Sequence, residues 1–146
     1  MHEEHFRNLE RFYHGAPINR LYEPQLTVEE GRAEVVMEVR PEHFHAAGAL
    51  HGSVYFKALD DACFFAANSL VREVMVLTAS FNLYFLRPVS AGSLRAIAKV
   101  VNQSRQLLIA EGELLASDGK TLARASGTFM RSQIALSDRL GYGLGG

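Results

Sequence analysis

Residues 51–69 read HGSVYFKALDDACFFAANS. The segment opens on a turn-capable His51-Gly52-Ser53 and continues as an almost wholly apolar helix, with Asp60 and Asp61 in its middle. A helix that is apolar on all sides is ordinarily buried in a core. Carboxylates rarely enter such a helix unless they are paired or do chemistry. The candidate active site is therefore the helix start, where backbone N–H groups are free, together with an acid about two turns further on.

The flanking sequence says what buries this helix. Before it, RAEVVMEVR (32–40) alternates apolar and charged residues, the pattern of a half-buried strand, and Pro41 ends it. The stretch 42–50, EHFHAAGAL, reads as a loop carrying His43 and His45. After the helix, residues 74–89 are rich in β-branched and aromatic side chains and close on Pro88. Strands are expected over 94–103 and 106–117, the latter with Gly112 as a candidate bulge. Ser117-Asp118-Gly119-Lys120 is a hairpin turn signal, and 121–132 is the return strand. Near the N-terminus, Phe6, Leu9 and Tyr13 share one stripe of an amphipathic helix over about 3–13. Consecutive strands joined by tight turns are antiparallel. One long apolar helix buries itself only against a face of that sheet. The expected fold class is α+β, a curved antiparallel sheet wrapped around one long central helix. It forms a single domain with a core over about 20–132 and a flexible Gly-rich tail.

Composition narrows the function classes. The chain has 146 residues, 48% hydrophobic and 21% charged, with a net charge of −1, an ordinary balance for one globular domain. Without a Lys/Arg run, no nucleic-acid surface is expected. No apolar run approaches a membrane span, and the charged N-terminal MHEEHFRNLERFYHG lacks the apolar core of a signal peptide, so the expected location is cytoplasmic. The one cysteine, Cys63, lies among Ala62, Phe64 and Phe65 and reads as core packing rather than a reactive thiol. His43 and His45 have no second ligand pair at suitable spacing, so neither a metal nor any other cofactor is expected.

Several motifs occur in a telling order. Asp60 stands nine residues after His51, Phe85-Leu86-Arg87-Pro88 closes the strand after the helix, Thr78 lies within that strand, and Gly119 through Thr128-Phe129 forms the last hairpin. Over roughly residues 20–132 this set resembles hotdog-fold acyl-CoA thioesterases of the phenylacetate-pathway type. The resemblance implies an enzyme that hydrolyses an acyl-CoA to free acid and CoA. It assigns Asp60 as general base or nucleophile and the Gly52 amide as the group that polarises the thioester carbonyl. Helix periodicity alone leaves Asp60 and Asp61 hard to separate, although Asp61, four residues after Lys57, is the better ion-pair partner.

The chain departs from the family pattern twice: Ser53 replaces the usual second Gly, and His45 stands where many members have an Asn that helps hold the carbonyl. A neutral imidazole can donate one hydrogen bond in that place. Thr78 is a candidate for positioning the water or Asp60. His51 and Ser53 are candidates for touching substrate at the helix start, and Arg87, Ser104 and Arg105 for holding the CoA phosphates. Phe56, Phe64, Phe65, Phe81 and Phe85 read mostly as core, with one or two lining an acyl pocket. Gly52 and Asp60 lie about 12 Å apart along one helix, far for a single site. The family resolves this by dimerisation, so the resemblance implies a homodimer or a dimer of dimers, with the acid of one subunit facing the helix start of the other. The alternatives are a non-catalytic acyl-CoA binding domain and a hotdog dehydratase pairing His45 or His51 with Asp60.

Overall fold

The computed structural model describes residues 2–143. The N-terminal helix α1 (His2–His14) leads through a 3-10 turn (Pro17–Arg20) into strands β1 (Gln25–Glu29) and β2 (Arg32–Glu38). The long helix α2 (Gly52–Asn68) follows, and then β3 (Val74–Phe85), β4 (Ser93–Gln103), β5 (Leu107–Ala116) and β6 (Thr121–Ala135). All six strands form one antiparallel sheet in the order β1-β2-β4-β5-β6-β3. Helix α2 contacts every strand, so the sheet wraps around it as expected from the sequence. No helix is long and apolar enough to cross a membrane among the described residues.

Three features depart from the sequence reading. Strand β1 was not anticipated. It has only two inward apolar residues, Leu26 and Val28, and it pairs with β2 across the tight Glu30-Gly31 turn, where Gly31 takes φ +70°. Strand β3 does not form a hairpin with β4. It crosses over to pair with β6 and becomes an edge of the sheet. Gly112 is not a bulge, since it keeps register with both Ala98 and Ala125. A Cβ there would lie 3.1 Å from Leu59 Cδ2 and 3.2 Å from Cys63 Sγ. Glycine relieves this contact, where the helix approaches the sheet closely. Of the Gly-rich tail, residues 144–146 lie outside the described residues, while Tyr142 OH hydrogen-bonds His5 Nδ1 at 2.7 Å.

The packing surface is built from small side chains. Ala58, Ala62 and Ala66 form an i, i+4 row on α2, and Ala96, Ala98 and Ala110 face inward from β4 and β5; all are fully or almost fully buried. Asn68 ties the helix end to the next strand. Its Nδ2 donates to Val71 O and Val74 O, and its Oδ1 accepts from Val76 N. That latch sends β3 back antiparallel to α2 and sets the height at which Thr78 meets the helix. Contrary to the expectation of burial all round, one stripe of α2 stays uncovered. Phe56 is exposed, while Asp60 and Phe64 are half-buried.

Replacing Gly112 by Val should overpack this contact and destabilise the fold by about 1–3 kcal/mol. Denaturant unfolding of the variant beside wild type measures it, and an unchanged midpoint would mean the helix can retreat from the sheet at no cost.

Candidate active site

Local sequence shapes the start of α2. His51 is the N-cap, and its Nδ1 accepts from Ser53 N at 3.0 Å while lying 2.9 Å from Ser53 Oγ. Val54 N donates to His51 O. With those two amides satisfied, the Gly52 N–H meets no acceptor among the described residues. It sits at the positive end of a 17-residue helix. The ring of Phe85 lies so close over it that a Cβ on Gly52 would come within 3.1 Å of Phe85 Cε1. Tyr55 OH donates to Arg87 O at 2.6 Å, which fixes the Phe85–Pro88 corner against the helix start. Arg87 opens on a cleft of about 520 Å³ that also exposes Ser117 and Lys120, a second cation the sequence reading did not select.

His45 lies in the tight loop before the helix, where Phe44 bridges to Leu50 and Gly48 takes φ +86°. Its Nδ1 accepts from Ala47 N at 3.0 Å. That bond puts the proton of the neutral ring on Nε2, which leaves a donor on the exposed side of the loop.

Eight residues along α2, the two carboxylates diverge. Asp61 Oδ2 accepts from Lys57 Nζ at 2.8 Å and from Tyr13 OH at 2.7 Å, and Lys57 also lies over the rings of Tyr13 and Tyr22. Burial pushes the Asp61 carboxyl up, and Lys57 opposes that. Asp60 stands outside this pair. Its Oδ1 accepts from Thr78 Oγ1 at 2.9 Å, and its Oδ2 has no hydrogen-bond partner among the described residues. Burial pushes its carboxyl up to about 6, with the Thr78 hydrogen bond pulling the other way and the Asp61 charge adding to the rise. Such a carboxylate is mostly ionised at neutral pH and far more basic than a solvated one, which suits proton abstraction.

The candidates therefore fall into two groups. Gly52, His51, Ser53 and Arg87 gather at the helix start. Asp60 and Thr78 meet two turns further along, at the middle of the helix. The turn carrying Ser104 and Arg105 is held by Arg131, which donates to both of their carbonyls, and it lies toward Asp60, because Met130 pairs with Leu107 on one side and Leu77 on the other. Residues the sequence reading missed surround Asp60. Phe12, Tyr13, Ile18 and Asn19, from α1 and the 3-10 turn, line a cavity of about 310 Å³ with Lys57, Asp60 and Thr78. Nothing local in the sequence marks them, since they reach the site through packing. Phe56 and Phe85, read as core, are exposed, with Phe56 against Phe81 at 5.2 Å and Phe85 against Tyr55 at 5.4 Å between ring centroids. Cys63 is buried, and its thiol is pushed up by that burial. Among the described residues no three His, Cys, Asp or Glu side chains converge as metal ligands.

Comparison with known proteins bears on this arrangement. Residues 47–123 match the family described as the thioesterase superfamily. The acyl-coenzyme A thioesterase PaaI of Escherichia coli is 30% identical over 99 residues, which cover 67% of this chain and 69% of that protein. A thioesterase family protein of Silicibacter pomeroyi superposes with a TM-score of 0.78 at 29% identity, over 89% of this chain and 97% of the other. The E. coli PaaI structure superposes with a TM-score of 0.84 over 92% of this chain and 98% of its own, and at 23% identity it speaks to the fold.

The raised Asp60 carboxyl gives a stability prediction. In the folded state the group holds its proton more tightly than in the unfolded chain. Its stabilising contribution is thus full below pH 3.8 and is lost as the pH rises through about 6. Asp60→Asn should melt at a higher temperature than wild type above pH 6, with the gap closing toward pH 4. Thermal melts across that range measure it, and a gap independent of pH would show that burial does not strain this carboxylate.

Proposed function

The chain belongs to the thioesterase superfamily and is a hotdog-fold thioester hydrolase, and from that premise we propose that its substrates are acyl-CoA thioesters and that Asp60 is the acid–base residue. The observation that carries this reading is the separation of the two neighbouring carboxylates. Lys57 pairs with Asp61 and Tyr13 donates a hydrogen bond to it, while Asp60 keeps an oxygen without a partner among the described residues beside a cavity. In the reaction, negative charge develops on the thioester oxygen. The Gly52 N–H and the helix dipole stabilise it, with His45 Nε2–H as a further donor. Asp60 either takes a proton from the attacking water, whose oxygen then replaces the CoA sulfur as the C–S bond breaks and the proton passes to the departing thiolate, or attacks the carbonyl carbon itself, expelling the thiolate and forming an anhydride that water hydrolyses; Thr78 holds its carboxylate in place. Arg87, with Lys120 beside it, and Ser104 with Arg105 are the contacts for the CoA phosphates.

One subunit does not complete this site, because Gly52 and Asp60 are separated by about 12 Å of helix. The reading therefore includes a homodimer in which Asp60 of one subunit faces Gly52 of the other. Two features of the lone subunit support it. Strand β3 is a twelve-residue edge strand bearing exposed Leu77, Tyr84 and Phe85, and such an edge invites pairing with another chain. The uncovered stripe of α2 carries Phe56, Asp60 and Phe64 next to it.

The direct test is thiol release from a panel of acyl-CoAs by the purified protein without added metal or nucleotide. Release from at least one is expected. Binding without release would favour the non-catalytic domain, and an enoyl product from a hydroxyacyl-CoA would favour the dehydratase. Asp60→Asn should cost at least ~10²-fold in turnover, the low end of a positioned base, and Asp61→Asn much less. Because the base works ionised, kcat/KM should rise with pH through about 6. Thr78→Ala, which removes the bond favouring the ionised form, should move that limb to higher pH. Reversed effects of the two Asp variants would put the chemistry on Asp61. Sedimentation at assay concentration should show a dimer or larger, and an active monomer would sink the shared site.

A further inference from the structure

The cap that begins α2 contains a hydroxyl that a neutral histidine cap does not need. His51 Nδ1 lies 3.0 Å from Ser53 N and 2.9 Å from Ser53 Oγ. A ring nitrogen has one lone pair and a backbone N–H can only donate, so the neutral ring accepts from Ser53 N and carries its proton on Nε2. With the bond from Val54 N to His51 O, this holds the His51–Gly52 peptide, whose N–H is the one offered to the thioester oxygen. For these two bonds glycine at position 53, the residue of the family pattern, would serve as well as serine.

Protonation changes what the cap requires. In the imidazolium both ring nitrogens donate, so Nδ1–H would meet the Ser53 N–H donor to donor. The cation would also sit at the positive end of the helix. The charged groups around the helix start offer no relief. Arg87, from the corner after β3, and Lys120, from the β5–β6 turn, are themselves cations. Asp118 of that turn is paired with Lys120, and on α2 Lys57 is paired with Asp61. In the loop before the helix, His45 Nδ1 is taken by Ala47 N, and His43 lies against Tyr22 with its Nε2 at Leu21 O. The His51 ring forms no ion pair among the described residues. The carboxylate that the dimer brings up, Asp60 of the other subunit, faces Gly52. The acceptor already within reach of Nδ1 is Ser53 Oγ.

We propose that Ser53 is a positioning residue. Its hydroxyl accepts from the protonated His51 ring, so the ring stays docked on the start of α2 in both protonation states, and the Gly52 N–H keeps its direction as the solution turns acid. The exchange needs little movement, because the Nδ1–Oγ separation is a hydrogen-bond distance before the proton arrives. The effect on rate rests on the thioesterase reading above, whereas the docking is a property of the chain without substrate.

The experiment compares the full chain with Ser53→Ala, which removes the hydroxyl and keeps the backbone N–H, and Ser53→Thr, which keeps both. Circular dichroism and Tm confirm the fold of each. Two readouts run from about pH 8 down to about pH 5, the span over which a histidine changes charge. The first is substrate-free NMR, in which ring nitrogen shifts report protonation of His51 and exchange of the Val54 N–H with water reports the cap. Once the ring is protonated, Val54 N–H in Ser53→Ala should exchange at least ~3-fold faster than in wild type at the same pH, the scale of a lost N-cap bond. The second is kcat/KM on an acyl-CoA that the protein hydrolyses. The ratio of wild type to Ser53→Ala should grow by a similar factor over the same interval, with Ser53→Thr following wild type. Asp60 titrates in all three proteins and cancels from the ratio. A rate ratio that stays constant with pH would show that the hydroxyl acts on substrate directly or not at all. An exchange ratio indifferent to the charge on the ring would show that Ser53 does not hold it. Either result overturns the proposal. Thiol release from no acyl-CoA removes the thioesterase reading alone, and the exchange measurement still decides the docking.

Discussion

The close approach of α2 to the sheet is the constraint on which the rest of this structure depends. A row of alanines on the helix meets alanines and Gly112 on β4 and β5, and a single added Cβ at Gly112 would press on Leu59 and Cys63 at 3.1 and 3.2 Å. Small residues on both sides let the sheet curl around the helix and bring several strands into contact with it. The curl covers only one side. What remains uncovered is a stripe carrying Phe56, Asp60 and Phe64, bordered by the edge strand β3.

The second organising feature is electrostatic. Two adjacent carboxylates on a mostly apolar helix would repel each other and suffer desolvation together if nothing told them apart. They are told apart by rotation about the helix axis. Asp61 points toward α1, where Lys57 and Tyr13 meet it. Asp60 points toward β3, where Thr78 gives it one hydrogen bond and no cation. The Lys57–Asp61–Tyr13 cluster thus anchors α1 to α2, and the same anchoring sets Phe12 and the turn with Ile18 beside Asp60. Structural and candidate catalytic roles sit one residue apart because successive residues on a helix face different neighbours.

Much of this was legible in the chain. The helix at 52–68, the alternation of β2, the β5–β6 hairpin at Asp118-Gly119 and the burial of Cys63 follow from periodicity, turn chemistry and local apolarity, which are properties of adjacent residues. So is the Lys57–Asp61 pair, which needs only the i, i+4 spacing of a helix. The nine-residue step from His51 to Asp60, read with the motifs after it, pointed to the thioesterase family that the comparisons show.

Tertiary structure decided the rest. Strand β3 pairs with β6 rather than its neighbour β4, and no local pattern encodes which edge a crossover strand will join. Gly112 reads as a bulge in one dimension and proves to be a contact point in three. Phe56 and Phe85 look like core because they are apolar, yet Phe56 lies on the uncovered stripe of α2 and Phe85 ends the edge strand β3. Tyr13, Phe12 and Ile18 come to Asp60 from 42 to 48 residues away, carried by the docking of α1. Sequence determines what each segment can form and which faces must leave water; the relative placement of segments is set by which close packing all of those faces can satisfy together, and that is a property of the whole chain.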